Sequence, residues 1–508
     1  MKRQKYQGDV YLASRLFLAA FAGAISYFAY PRPGLWPVIF VSVALMFVAV
    51  RGATLGRAWL VGLVGGFAFF ASQCWWLSQY LGPLPLVALS LLQAFFVAFA
   101  MLVFEAGRRR IDSPVLQAFF FASIWTAREW VSTHWPYGGF PWSRLSMSQA
   151  YSPLSGWVYF GGLSLLSFVV ASLSAIAVIA VPQMFRVSSR MHSFRLTALV
   201  LLVAFLVPLF VPSSQGQGEK FRVVGIQGNA NAGLFANTVP GEILSNHLAV
   251  TEKFLGSKIA GAKLVVWPEN ASDLNPLDNP PIATRIDRLV NEKLGVPLRF
   301  GTLTNSRGNE YNSSLLWKPG VGLADQYDKK RPVPFAEFVP DRDFWYQIAP
   351  DLIGLIYRGF SFGTRDPIFE VDGKRFGVLI CFEIAVDEIA QGMVDDGATA
   401  IISQTNNADF GHSDESYQQI AIAKLRAIET GLPLINVSTT GPSGAFTGSG
   451  ATMATVPAFE PRFFVVDLPL RKSDTPAMGL GRYFDILNIL LAAALILVVE
   501  WRRRRRQS

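Results

Sequence analysis

The sequence predicts a polytopic α-helical membrane protein with an α/β domain inserted before its last span and facing the extracytoplasmic side. Three observations predict it. Only 16% of the 508 residues are charged and 51% are hydrophobic, against roughly 25% charged in an average soluble protein. Apolar runs of spanning length recur along the chain, most of them close to the ~20 residues a transmembrane helix needs. The formal net charge of +9 is also unevenly divided: residues 213–480 hold 24 Lys+Arg and 30 Asp+Glu, a net of −6, so the remainder carries +15. That excess flanks the apolar runs instead of covering one face of a folded domain, which excludes a nucleic-acid reading of the basic pI.

Taken in order, the spans fall at about 10–30, 34–50, 58–81, 83–107, 114–133, 156–182, 196–212 and 482–500. Lys2, Arg3 and Lys5 precede the first, and Ala22-Gly23-Ala24 mimics a signal-peptide cleavage site. Arg15 interrupts that run and further spans follow it, so it reads as an uncleaved anchor. Short loops rich in Lys and Arg stay cytoplasmic. The clusters are Lys2/Arg3/Lys5, Arg51/Arg57, Arg108/Arg109/Arg110, Arg186/Arg190/Arg195 and Arg502 to Arg506, while Pro31-Arg32-Pro33 and Gly82-Pro83 are nearly bare. With the arginines on both sides of it cytoplasmic, the chain crosses twice between them, which makes 114–133 a span. Residues 1–212 are then a seven-span domain, 213–480 an extracytoplasmic domain, and 481–508 an eighth span with a cytoplasmic tail. The loop 128–155 faces the same side as the inserted domain. Its Trp130, Trp135, Tyr137, Phe140, Trp142 and Tyr151 read as an interfacial aromatic belt; a lipid-entry lip that includes Trp142 is the alternative.

Beyond the Ser/Gly/Gln linker at 213–219, β-rich apolar runs appear at Phe221–Ile226, Lys263–Trp267, Leu298–Leu303, Ser314–Trp317, Phe376–Ile380, Ala400–Ser403 and Leu434–Val437. Helix-like stretches at 241–259, 281–294 and 416–430 separate several of them. This alternation predicts an α/β domain with buried strands.

Polar residues just past such strands are where α/β domains carry chemistry. Glu269 follows Leu264–Pro268, Lys329 precedes the Pro-punctuated segment 332–340, and Cys381 follows Val378-Leu379-Ile380 where an elbow would expose it. A free thiol titrates near ~8.5 and needs a base at neutral pH. A carboxylate can take the proton, and a fixed ammonium can stabilise thiolate and oxyanion. Singly these would be a surface carboxylate, part of the solvated Lys329-Lys330-Arg331 run, and a core thiol; together they supply a nucleophile, a base and an electrostatic partner. Cys74, before Trp75 and Trp76, reads as a small hydrophobic side chain. Two cysteines and four scattered histidines offer neither a disulfide framework nor a zinc site.

Leu264–Glu269 (LVVWPE), Tyr327–Pro340 (YDKKRPVPFAEFVP) and Gly377–Ile384 (GVLICFEI) resemble the carbon–nitrogen hydrolase, or nitrilase, superfamily. Val224–Asn229, Thr405–Gly411 and Ala427–Gly431 add matches. With seven spans before it and one after, the whole chain resembles the apolipoprotein N-acyltransferase family. The resemblance implies a nitrilase-like αββα sandwich and a Glu-Lys-Cys triad. Glu269 would be the general base, Lys329 the oxyanion and thiolate partner, and Cys381 the nucleophile. The Phe382 backbone N–H would complete an oxyanion hole, with Glu337 and Glu383 supporting. It implies ping-pong acyl transfer in a bacterial inner membrane, from a phospholipid (phosphatidylethanolamine, sn-1 chain) through a Cys thioester to the α-amine of a diacylglyceryl apolipoprotein. No metal, organic cofactor or nucleic acid is called for. Three departures stand out: Ala336 where the family has Gly, Asp409 where it has an aromatic, and Ala230–Phe235 without the expected Pro and Lys-Trp pair.

The segment 338–364 carries Phe344, Trp345, Tyr346, Leu352, Ile353, Leu355, Ile356 and Tyr357. It reads either as buried core or as a lid or membrane-dipping arm that admits acyl chains through Trp345 and Leu352. Two rival functions remain. A membrane-tethered amidase would pass the acyl group to water with the same triad, and a transporter or receptor would only bind ligand. Embedded charge favours the latter class, yet the spans hold little beyond Arg15, Glu105 and the Arg128/Glu129 pair near an interface.

Overall fold

The structure is a computed structural model that describes residues 2–184, 199–212, 218–233, 236–257, 260–356 and 359–507. Arg186, Arg190 and Arg195, the linker core 213–217, Leu234-Phe235 and Tyr357 lie outside the described residues. The chain divides into two compact units, Met1–Val211 with Gly479–Ser508, and Pro212–Met478.

The first unit is helical: α1 (Lys2–Ile25), α2 (Val38–Val50), α3 (Leu55–Gln73), α4 (Leu77–Leu81), α5 (Pro83–Arg108), α6 (Pro114–His134), α7 (Trp157–Met184), α8 (Leu199–Phe210) and, closing the chain, α15 (Phe484–Gln507). Among the described residues five segments are long and apolar enough to cross a membrane: Tyr11–Ala29, Leu55–Gln73, Pro83–Arg108, Pro153–Ala180 and Leu480–Trp501. The apolar α2 and the described part of α8 are shorter, and α6 carries charge. Prolines begin several helices where their missing N–H costs nothing: Pro83 opens α5, and Pro114 opens α6 behind Ser113, whose hydroxyl accepts the Leu116 N–H. Without lipid-versus-water discrimination between helices, close packing of small residues holds such bundles. A Cβ on Gly62 of α3 would sit 2.6 Å from Ala98 Cα of α5, and one on Gly23 of α1 would sit 2.6 Å from Phe69 N of α3.

The charge pair that the sequence places near an interface is interior to this unit. Arg128 and Glu129 are 6% and 1% exposed. Glu129 accepts from Trp125 Nε1 at 3.1 Å and Leu145 N at 2.9 Å, and Arg128 lies over the Trp125 and Phe70 rings at 5.1 and 5.6 Å. Arg144 approaches Glu129 at 3.8 Å and bonds Ser164, which bonds Asp485 of α15. Helical periodicity turns both charges inward, where opposite charge and aromatic faces compensate burial.

The second unit contains two six-stranded sheets. One has order β12-β1-β2-β3-β4-β5 and the other β11-β10-β9-β8-β7-β6. The strands are β1 (Glu219–Gln227), β2 (Leu264–Val266), β3 (Leu298–Ser306), β4 (Asn309–Lys318), β5 (Gly322–Asp328), β6 (Ile368–Val371), β7 (Lys374–Ile380), β8 (Ala400–Thr405), β9 (Leu434–Ser438), β10 (Ser443–Phe446), β11 (Thr452–Val456) and β12 (Arg462–Leu470). The centre of each sheet is parallel, β1-β2-β3 and β7-β8-β9, with antiparallel flanks. Strand alternation sends Phe221, Val223, Leu264, Val266, Phe376, Val378, Ile380, Ala400, Ile402, Ile435 and Val437 into one core between the sheets. The opposite face of the first sheet packs Val224, Ile226, Val265 and Trp267 against α9 (Glu242–Gly256) and α10 (Pro280–Arg288). Helices α13 (Asp387–Asp395) and α14 (Glu415–Thr430) pack on the second sheet. The result is the expected αββα sandwich. Pro469 in β12 is tolerated because that strand is an edge.

Between β5 and β6 the chain forms two short helices, α11 (Arg342–Ile348) and α12 (Pro350–Leu355). The core reading of this segment does not hold: Phe344, Tyr346, Ile348 and Leu355 are 48 to 60% exposed. Arg342 ties the helices together by donating to the Ile356 and Ile353 carbonyls.

Candidate active site

The carboxyl ends of β2, β5 and β7 converge on the site. β2 leads through Trp267-Pro268 to Glu269, β5 leads into Lys329, and β7 ends at Cys381. Each turn is sharp: Asn270 has φ +51°, and Cys381 itself has φ +54°, the left-handed elbow that a non-glycine residue adopts only when its surroundings enforce it. Gly301 allows the Glu269 turn, since a Cβ there would stand 2.6 Å from Glu269 Cα.

Lys329, 1% exposed, places Nζ 2.9 Å from Glu337 and 3.6 Å from Glu269 Oε1. Asn312 of β4 donates its side-chain amide to both carboxylates, 2.7 Å to Glu269 and 2.9 Å to Glu337, and its backbone carbonyl accepts the Lys329 backbone N–H. The Asn406 N–H reaches Glu269 Oε2 at 2.7 Å, and the Val333 N–H reaches Glu337 at 2.7 Å. One ammonium and one amide therefore hold two carboxylates. The sequence reading missed Asn312; its signal was an Asn inside the strand run YNSSLLW.

Burial pushes the Glu269 carboxyl up, with Lys329 pulling against it and Glu337 adding to it. Burial pulls the Lys329 ammonium down, but Glu337, Glu269 and Cys381 outweigh it and keep Lys329 charged. Burial and the Glu269 charge push the Cys381 thiol well up, Lys329 opposing. The resting arrangement is thus a neutral thiol facing a carboxylate and a permanent cation, which favours removal of the thiol proton as the sulfur attacks.

Glu383 serves the frame. Its Oε1 accepts from Tyr327 Oη (2.9 Å), Lys330 N (2.7 Å) and Arg331 N (3.2 Å), and its Oε2 from Ile380 N (2.9 Å). One buried carboxylate thereby ties the Cys381 elbow to the segment bearing Lys329. Phe382, next in the elbow, is 9% exposed. The positive φ near Glu337 falls on Phe335 (+61°), so Ala336 in place of Gly carries no strain.

Trp345 packs edge-to-face on Phe335 at 5.3 Å, and the Phe360 N–H bonds the Glu337 carbonyl at 2.9 Å, so the α11–α12 arm starts and returns beside the site. Leu352 is half-buried in that arm. Trp142 belongs to the helical unit, where it is buried and lies edge-to-face on Trp76 at 6.2 Å. Cys74 is likewise fully buried. Asp409 is half-buried, and burial raises its carboxyl to about 6. Among the described residues no cluster of His, Cys, Asp and Glu could hold a metal ion.

Residues 22–176 match the apolipoprotein N-acyltransferase N-terminal domain, and residues 237–461 match the carbon-nitrogen hydrolase family. Apolipoprotein N-acyltransferases of Azotobacter vinelandii (29% identical, covering 97% of this chain and 95% of the relative) and Vibrio vulnificus (25%, covering 97% and 98%) are similar over nearly the whole length. Over nearly its whole length the chain is thus similar to the apolipoprotein N-acyltransferases. Among solved structures, an amidase of the nitrilase superfamily from Nesterenkonia AN1 is similar at 16% identity and a TM-score of 0.39, covering 53% of this chain and 95% of the amidase. The similarity to the N-acyltransferases spans both units, the apolar helices and the sandwich that carries the cysteine.

Proposed function

We propose that the protein is an N-acyltransferase of the bacterial inner membrane that moves an acyl chain from a phospholipid to the N-terminal S-diacylglyceryl cysteine of an apolipoprotein. The convergence of Glu269, Lys329 and Cys381 at three strand ends, in a chain that also carries membrane-spanning helices, supports it most. Cys381 Sγ attacks the ester carbonyl of the donor, phosphatidylethanolamine at sn-1. The S–C bond forms, the C–O bond breaks, and the thiol proton passes through Glu269 to the departing lysophospholipid oxygen. In the second half the acceptor α-amine loses its proton to Glu269, its N–C bond forms, and the C–S electron pair returns to sulfur, which recovers the proton. Lys329, with the Phe382 N–H, stabilises the oxyanion in both halves, and Glu337 holds Lys329.

In this reading the chain crosses the membrane eight times with both termini cytoplasmic and the sandwich, 213–480, periplasmic. The half-exposed apolar arm beside Glu337 receives the acyl chains through Trp345 and Leu352. Incubation with phospholipid followed by intact-mass analysis tests the proposal. We expect a gain of one acyl chain, absent in Cys381→Ser and discharged by a diacylglyceryl-cysteine peptide. Discharge by water alone would make the protein a hydrolase.

A further inference from the structure

A second polar chain reaches Cys381, from β8 and α14, that the triad chemistry does not use. Gln419 directs Nε2 at Cys381 Sγ, 3.5 Å away. Its Oε1 accepts from Asn407 Nδ2 at 2.6 Å, and the same Nδ2 donates to Glu415 Oε2 at 2.7 Å. Asn407 Oδ1 accepts from Ser438 Oγ at 2.7 Å and Thr405 Oγ1 at 3.4 Å, and Ser438 Oγ in turn accepts the Gly441 N–H at 2.9 Å. Glu415, Asn407 and Gln419 are 3%, 3% and 1% exposed. Gly441 lacks the Cβ that would collide with Asn407 Oδ1.

The polarity of this chain follows from one end. Asn407 turns its NH2 toward Glu415 Oε2, an oxygen that accepts in the ionised form and, in the neutral form that burial favours by raising this carboxyl to about 8, accepts as the carbonyl oxygen. Its second N–H then goes to Gln419, which offers its carbonyl, and that leaves the Gln419 NH2 for the sulfur. Ser438 agrees independently, because a hydroxyl already accepting from Gly441 has its own hydrogen to give to Asn407 Oδ1. Buried amides are rarely fixed from two directions by so few partners.

We propose that Gln419 is a further catalytic residue that donates a hydrogen bond to the Cys381 sulfur, with Glu415, through Asn407, as the positioning residue that fixes the donor. The inference rests on Cys381 being the nucleophile. When the acceptor nitrogen displaces the thioester, the C–S electron pair moves to Sγ, and the Gln419 N–H already stands where that charge develops. During acylation the same bond occupies a sulfur lone pair and leaves the S–H hydrogen for Glu269. The titratable groups facing Cys381 are Glu269, Glu337 and Glu415, whose charged forms disfavour the thiolate, burial raising the Glu415 carboxyl to about 8, and Lys329, which favours it; Gln419 adds a neutral donor on the favouring side.

The test uses the full chain in detergent with Cys74→Ala, so that one thiol reports. The iodoacetamide alkylation rate is followed against pH, and thioester discharge by a diacylglyceryl-cysteine peptide is followed by intact mass. A hydrogen bond to a charged group corresponds to a shift of about one pH unit or more. Gln419→Leu should therefore slow alkylation at about pH 8 roughly tenfold and slow discharge comparably, with little change in phospholipid KM. Gln419→Glu, which keeps the shape and turns an acceptor to the sulfur, should slow both further, and serves if Gln419→Leu does not fold. Glu415→Met should alkylate and discharge several-fold more slowly than Glu415→Gln, which lacks the same charge but keeps an oxygen for the Asn407 N–H. Wild-type profiles in both Gln419 variants would overturn the donor role, and equal profiles in Glu415→Met and Glu415→Gln would overturn the relay. Failure of the underlying reading looks different: Cys381→Ser would still be acylated.

Discussion

Glu383 touches no substrate in the proposed reaction, yet replacing it by Gln should damage both stability and chemistry. The isostere keeps Oε1 and its three donors, Tyr327 Oη, Lys330 N and Arg331 N, but sets an NH2 against the Ile380 N–H. A buried donor left unpaired costs about 1–3 kcal/mol, and the three surviving bonds lose charge assistance worth about 1 kcal/mol each. Relief from burying a formal charge offsets part of this, leaving a net loss of about 2–3 kcal/mol. For a domain of this size, about 2–4 °C per kcal/mol puts the unfolding midpoint about 5–10 °C lower. The orphaned N–H belongs to Ile380, the residue before the strained Cys381 elbow, so the sulfur should move relative to Lys329. A displacement of about 1 Å costs on the order of 100-fold in rate. Thermal unfolding of the purified variant and its single-turnover acylation rate, read by mass, test the two consequences separately. A midpoint within about 1 °C of wild type with unchanged acylation would show that Glu383 does not tie the elbow to the lysine segment.

Glu269 acts as a base only when ionised, and its carboxyl is raised by burial. The acid limb of the acylation rate should therefore lie above the usual carboxylate value of about 4.3. Because Glu337 is a like charge that raises Glu269, Glu337→Gln should move that limb to lower pH, and a limb that stays in place or rises would exclude Glu269 as the titrating base. Trp345→Ser with Leu352→Ser should slow phospholipid turnover while lowering the unfolding midpoint only modestly, since both side chains are half-buried; wild-type turnover removes the arm from lipid handling. Gly62→Leu should abolish recovery of monodisperse protein, measured by size-exclusion chromatography, because its Cβ alone would collide with the α5 backbone.

The residues that bear the proposed chemistry were legible because a buried parallel strand is a continuous apolar run, and a polar residue at its end has few reasons to be there other than function. Glu269 and Cys381 both follow such runs, and Lys329 heads a Pro-rich turn. The strands β5, β6, β10 and β11 were not legible because they are short or mix polar and apolar residues, as in GLADQYD of β5, while β12, RFFVVDLPL, is apolar enough to read as a strand and was missed. The polar supports were hidden for a different reason. Asn312 looks like one polar position in a strand and Gln419 like one polar position in a helix, and only the folding of β4 and α14 against the ends of β2 and β7 turns them toward a carboxylate pair and a thiol. Arg128 and Glu129 illustrate the same limit in the helical unit. Their place near the end of α6 reads as interfacial, but a helix end can be enclosed by its neighbours, and Leu145, Arg144 and the Trp125 ring close over this pair. One-dimensional pattern locates apolar layers and the chain positions that break them. Whether a break faces water, a partner charge or a reacting atom depends on what the rest of the chain brings to it, and in this fold the two sheets bring polar side chains from both sides of the sandwich to one sulfur.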